Sequence, residues 1–270
     1  MRLALEAGSA TLELATKHRL AGVAIDAASL EDGVTVNQLT ESGLAAAQIG
    51  VPMFNPLNDD AAALDTETRR LGRAIERCGE VHARHIMIGP GNHHSSGFAH
   101  WDPRNDSEES LDQYARALEP FRADAERREV NICVEPYLKG VINSPERFRD
   151  LKRRLPSAAL RCNIDPTSLY QFRDAMDSRD VITRVTRKLA DYVGRIHVKE
   201  VALAPGFHIH LGLVPLGEGC TDWAELLRML GDAVPCETWV LLEHIADADE
   251  CERSMAILRS AAAEANVTLT

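Results

Sequence analysis

The sequence is short of positive charge, has no closely spaced cysteine pair and contains no long apolar run, and each shortage removes a class of function. Over 270 residues, 30 lysines and arginines face 41 aspartates and glutamates, a formal net charge of −11. A phosphate-rich polymer has to be held by lysine and arginine, so this balance argues against nucleic acid as a partner. The cysteines at 78, 133, 162, 220, 236 and 251 form no CxxC pair, and two of them fall inside apolar runs where a small buried side chain suits. They are expected to be reduced structural thiols. No stretch approaches the roughly 18 consecutive apolar residues of a membrane-spanning helix, so no membrane partner is expected. The N-terminal run MRLALEAGSATLELATKH lacks the long apolar core of a signal peptide, which makes the cytoplasm the expected location and leaves the N-x-[ST] matches at Asn105 and Asn266 without weight. The G-x-G-x-x-G fingerprint of a nucleotide-binding open sheet is also missing after the first strand; GPGNHH, starting at Gly89, resembles it only superficially.

What the chain does contain is an alternation of short apolar, β-branched runs with longer amphipathic ones, without any break in composition. That pattern argues for parallel strands joined by helices. Eight strands are predicted: Arg2 to Leu5, Gly22 to Asp26, Ala46 to Phe54, His85 to Gly89, Val130 to Glu135, Leu160 to Asp165, Gly194 to Val198 and Trp239 to Glu243. Eight such units in 270 residues, close to the usual ~250 of an α/β barrel, predict a single-domain (β/α)8 TIM barrel over residues 1–270. Helix starts are expected at Asp106 and Asp222, each with a glutamate three residues on, and at Ser144-Pro145. Pro120 is expected to kink or split the helix that contains it.

Four late strands end in a residue that can bind a metal: VNICVEP places Glu135, LRCNIDP Asp165, GRIHVKE His197 and TWVLLEH Glu243. Their separations of 30, 32 and 46 residues are each about one βα unit, so a closed barrel brings all four to the C-terminal rim, where barrel active sites lie. A carboxylate at the end of an apolar strand is costly to bury alone, and a shared cation supplies the partner it needs. Oxygen-rich ligation with one nitrogen suits Mn2+ or Mg2+, with Co2+ tolerated, better than structural zinc. Lys199, two residues beyond His197, is expected on the same side of its strand.

The run formed by Glu135-Pro, Asp165-Pro, His197-Val-Lys-Glu, the segment LGEGCTDW from Leu216 and Leu-Leu-Glu243 resembles the xylose isomerase-like TIM barrel superfamily, over about residues 80 to 245. That group contains sugar isomerases, ketose 3-epimerases, inosose dehydratase and endonuclease IV. The resemblance implies a metal held by Glu135, Asp165, His197 and Glu243, with Glu135 and Glu243 doubling as an acid and base pair on opposite faces of a sugar, and Lys199 polarising a substrate oxygen. Two departures stand out. Ketose 3-epimerases carry a histidine three residues after the metal aspartate and an arginine about six after the metal histidine, where this chain has Ser168 and Leu203. Ser168 also stands where the three-metal endonucleases need a ligand.

The long segment GPGNHHSSGFAHWDPRN lies on the same face, and His93, His94 and Trp101 in it are candidate substrate contacts, as are His208 and His210 further on. His244 is expected to point away from the barrel interior, and Gly217, Glu218 and Gly219 to form a rim scaffold. The expected activity is a metal-dependent isomerase or epimerase acting on a small keto sugar or polyol through an enediolate. Alternatives are a lyase or dehydratase on a related sugar, and a metal-binding barrel without turnover. Phosphorylated substrates are not favoured, because PLGEG offers a glutamate where a phosphate loop needs cations. A homo-oligomer is expected only by analogy with related barrels.

Overall fold

The computed structural model describes residues 1–6, 11–32 and 34–270. Eight parallel strands close into a barrel: β1 (Arg2–Leu5), β2 (Gly22–Asp26), β3 (Ala45–Val51), β4 (His85–Ile88), β5 (Asn131–Val134), β6 (Leu160–Ile164), β7 (Val193–Val198) and β10 (Trp239–Leu242). A separate antiparallel hairpin, β8 (Glu200–Leu203) and β9 (Leu211–Val214), leaves the barrel after β7 and returns before helix α8 (Trp223–Gly231). Of the remaining helices, α1 (Thr11–Lys17), α2 (Ser29–Asp32), α3 (Val34–Ser42), α4 (Ala61–Arg77), α5 (Glu108–Arg128), α6 (Pro145–Arg154) and α7 (Arg179–Leu189) connect the strands, and α9 (Ala248–Glu264) follows the last of them. This is the (β/α)8 barrel that the alternating pattern predicts. Among the described residues no helix is long and apolar enough to cross a membrane.

Period-two alternation divides each strand between two cores. Ile132, Val134, Ile164, Ile196, Val198, Val240 and Leu242 face outward and pack with the helices in the larger core. A second, smaller cluster, Ala4, Ala24, Ala47, Trp239 and Leu241, fills the barrel itself. The Trp239 ring needs that space: a Cβ on Gly22 would lie 2.9 Å from its Cη2. Small residues on β1 to β3 therefore oppose one large plug from β10, and the Arg2 guanidinium covers the plug at 4.0 Å.

Several local expectations shift. The third strand stops at Val51 rather than Phe54, because Pro52 has no N–H to continue the ladder. Ser107, not Asp106, caps α5 by accepting a hydrogen bond from the Ser110 backbone N–H; Asp106 instead accepts one from the Asn143 side chain at 2.7 Å. Pro120 does not split α5, which runs unbroken from Glu108 to Arg128. The proline sits on the exposed side, where water can satisfy the one carbonyl that loses its helical donor. Asp222 and Ser144 cap their helices as expected.

Candidate metal centre

The same alternation that sends Ile196 and Val198 outward turns Arg195, His197 and Lys199 inward, and it does likewise for Cys133 and Glu135, Asn163 and Asp165, and Leu241 and Glu243. Because β10, β7, β6 and β5 are neighbours in the barrel, their final inward residues meet at one point. His197 Nδ1 lies 2.5 Å from Glu243 Oε1 and 3.1 Å from Glu135 Oε2. Ligand atoms of these three residues all lie within 4.8 Å of one another.

Lys199 projects into the same cluster, with Nζ 3.4 Å from Glu135 Oε1 and 3.3 Å from Glu243 Oε2, and it forms an ion pair with Asp165. Asp165 is therefore beside the group of three rather than part of it. Its Oδ1 accepts from the Thr167 N–H at 2.9 Å and the Thr167 hydroxyl at 2.7 Å. The Ser168 hydroxyl bridges two strand ends, 2.9 Å from Asp165 Oδ2 and 3.1 Å from Glu135 Oε1.

The charges in this cluster hold one another. Burial pushes the Glu135 and Glu243 carboxyls up, but Lys199 and His197 outweigh it and keep both below the usual carboxylate range, Glu135 well below. Burial opposes the charge on Lys199, and Asp165, Glu135 and Glu243 overcome it, raising the ammonium well above its ordinary value. Without a metal, His197 is raised to about 9: burial works against its charge, and Glu243 and Glu135 prevail.

The geometry nonetheless fits a cation at Nδ1 better than a proton. Nε2 is 2.8 Å from Gln48 Oε1, a side chain reaching across from β3, and donation there leaves the Nδ1 lone pair facing the carboxylates. That buried Nδ1 makes no hydrogen bond despite its close neighbours. With His197 neutral, three carboxylates outnumber Lys199 and the fully buried Arg195 beneath them. A divalent cation would restore the balance.

Three supporting residues were missed in the sequence. Gln48 is a lone polar residue in the apolar strand AAAQIGV, a signal that was available. Asn163 donates to Glu135 Oε2 at 2.7 Å and accepts from Arg195 Nε at 3.2 Å. Their partnership is invisible without the barrel, since it joins β5, β6 and β7.

Above the cluster opens a cavity of about 830 Å³ whose lining includes Glu135, Lys199, Glu243, Phe98, His210 and His244. His210 is the only one of the five predicted substrate contacts among its described lining residues. His93 is half-buried and bonded through Nε2 to the Ser110 hydroxyl at 2.8 Å, and burial lowers its pKa. His94 stacks on His100, Trp101 stands 51% exposed, and His208 packs edge-on against Phe207. The loop after β4 is instead organised by buried Asn92, whose side chain donates to the carbonyls of Gly97, His100 and Lys139. His244 lines the cavity rather than pointing away from it. Its left-handed backbone, φ 56°, ends the strand alternation on which the outward expectation depended.

The family model described as xylose isomerase-like TIM barrel matches residues 1–261. The chain belongs to this family. No curated protein matches the sequence. Among solved structures, the fold is similar to a D-tagatose 3-epimerase-like protein, with a TM-score of 0.76, 16% identity and 98% of each chain covered. It is also similar to the probable 3-DHS dehydratase AsbF from Bacillus anthracis, with a TM-score of 0.72, 14% identity, and 96% of this chain and 99% of that one covered. A third is a xylose isomerase-like TIM barrel protein from Mycobacterium smegmatis in complex with magnesium, with a TM-score of 0.70, 15% identity, and 93% and 88% covered.

Proposed function

We propose that the protein is a divalent-metal-dependent isomerase or epimerase that moves a proton next to the carbonyl of a small keto sugar or polyol. The observation that carries this reading is the convergence of Glu135, His197 and Glu243 around an Nδ1 that makes no hydrogen bond. Glu135, His197 and Glu243, with Asp165 once Lys199 releases it, would hold the ion, and Mn2+ or Mg2+ suits such an oxygen-rich set. The magnesium of the Mycobacterium smegmatis structure supports a site of this kind in the fold. When bound, the ion supplies electrostatic stabilisation of the enediolate.

Each catalytic glutamate has one oxygen for the ligand cluster and one for the substrate. Glu135 Oε2 and Glu243 Oε1 face His197, while Glu135 Oε1 and Glu243 Oε2 face Lys199 and the cavity. One glutamate, ionised, takes the proton on its cavity-facing oxygen, while the other enters the step protonated and delivers its own proton to the opposite face of the substrate; exchange with solvent then resets both carboxyls. Lys199, facing both carboxyls, favours the ionised form of the one that accepts the proton and donates to a substrate oxygen. Ser168, standing where a ketose 3-epimerase has histidine, aligns Glu135 with Asp165.

The test pairs metal content with proton exchange. Protein expressed with manganese should hold about one equivalent by elemental analysis, and His197→Ala should lose it. Candidate keto sugars incubated in D2O should gain one deuterium at unchanged skeleton mass. Glu135→Gln and Glu243→Gln should each slow that exchange by about 10³-fold while melting normally. Loss of water from the product would reassign the reaction to elimination, the chemistry named for AsbF. Undiminished exchange in both glutamine variants would sink the mechanism.

A further inference from the structure

The cavity has two unlike surfaces. Its floor is charged, formed by Glu135, Lys199 and Glu243. Its walls carry Met87, Phe98, Leu138, Ile209, Leu211 and Leu213, which offer little to a molecule hydroxylated on every carbon. At about 830 Å³, the cavity is at the size of sites that enclose drug-sized ligands, roughly 300–1,000 Å³. A lone monosaccharide would leave much of it empty.

The same bias extends to the rim. Among the described residues, the large hydrophobic side chains that stand exposed, Met53, Trp101, Leu138, Phe172, Phe207 and Ile209 among them, all lie in segments that follow barrel strands. None is on an outer helix or at the opposite end of the barrel. Single exposed apolar residues need no explanation, but their collection around one opening does.

We infer that the substrate is a conjugate, a neutral polyol or keto-sugar unit that reaches the carboxylate floor and carries an apolar, planar group held between Phe98 and the β8–β9 hairpin. This rests on the proton-transfer reading of the floor. The occupant is a small molecule because the apolar walls run down to the charged floor, a continuity that a docked protein surface would not use. It carries no phosphate or similar strongly anionic group: among the described lining residues the wall provides no arginine and a single lysine, Lys139, which donates to the Ala99 carbonyl at 3.0 Å, while Glu6 adds a carboxylate. The charge of Lys199 is already balanced by the three carboxylates around it. The hairpin is a built wall: at its base Glu200, 2% exposed, accepts from the Trp223 indole N–H at 3.1 Å and the Thr221 hydroxyl at 2.5 Å.

Phenyl β-D-glucopyranoside and methyl β-D-glucopyranoside share one polyol and differ only in the apolar group, so their affinities can be compared by calorimetry on the manganese-incubated protein. The phenyl glycoside should bind about tenfold more tightly. Replacing Ile209 and Leu213 together by asparagine should cut that ratio by about threefold or more. Both side chains are more than half exposed, so the variant should keep its fold and its metal. Equal affinities, a ratio that survives the double substitution, or no saturable binding of the phenyl glycoside would each overturn the inference. So would dimerisation by sedimentation that the double variant abolishes, combined with no phenyl preference, since the apolar rim would then be covered by a second copy. Metal content, measured separately, reports on the floor. An apometal wild type that still prefers the phenyl glycoside would refute the proton-transfer reading and leave the apolar wall standing.

Discussion

Gln48 shows how a residue on one side of the barrel sets the chemistry on the other. By accepting from His197 Nε2 it selects the tautomer whose Nδ1 lone pair faces Glu135 and Glu243. Such outer partners typically change metal affinity by about 10- to 100-fold. Gln48→Leu, similar in size and unable to accept, should therefore weaken manganese binding within that range, measured by competition with a chelator, with little change in melting temperature. Unchanged affinity would mean that the tautomer is set elsewhere. His85 presents a different residue-scale effect. It faces the lumen, its Nδ1 buried without a partner, and burial together with Arg195 and Arg161 lowers its pKa from 6.5 to about 3. Between those values the unfolded chain binds a proton that the folded one refuses, so folding stability should fall as pH drops through that window. At pH 5 the contribution reaches up to about 2 kcal/mol. Denaturant titrations at pH 7 and pH 5 should show a smaller loss for His85→Gln than for wild type. Equal losses would place the acid sensitivity in other groups.

At the scale of elements, the β8–β9 hairpin explains why the last of the three ligand spacings is 46 residues where the others are 30 and 32. The extra chain forms the hairpin, whose strands pair with each other and not with the barrel. The segment LGEGCTDW then returns beneath it and supplies the donors that hold Glu200. Gly219 is required there by contact, since an added Cβ would lie 2.5 Å from both the Glu200 carboxylate and the Val201 carbonyl oxygen. Gly219→Ala should destabilise the protein by about 1–3 kcal/mol. It should also increase protease cleavage within residues 204–210, the exposed tip. If cleavage stays as in wild type, the hairpin is anchored independently of this contact.

Across the whole molecule the lumen is stratified along the barrel axis. Alanines and Trp239 close the bottom, Arg195 and Asn163 form a polar middle layer, and the carboxylates, His197 and Lys199 stand at the top. The bottom layer stabilises by filling space. The middle layer transmits position, because Arg195 holds Asn163 and Asn163 holds Glu135. The top layer concentrates negative charge that a cation or a polarised substrate can share. Above it the cavity walls carry Met87, Phe98, Leu138, Ile209, Leu211 and Leu213, and an occupant that displaced water from them would strengthen electrostatic interactions at the floor. The division into a stabilising bottom and a reactive top is the one common to this barrel architecture.

The strand ends, the closed barrel and the convergence of Glu135, His197 and Glu243 were legible in the amino-acid sequence because they depend on short-range periodicity. Strand alternation decides which residues turn inward, and unit length decides that successive strands are neighbours. The helix caps at Ser144 and Asp222 were legible for the same reason, being satisfied within one turn. What the tertiary structure alone decided involves contacts between distant strands and loops. It drew Asp165 to Lys199 rather than into the ligand triangle, turned His244 toward the cavity through a left-handed backbone, and made Asn92, not its neighbouring histidines, the organiser of the long loop. Loop side chains follow no period, and their partners lie 5, 8 and 47 residues away in the case of Asn92 alone. Only packing could choose among them.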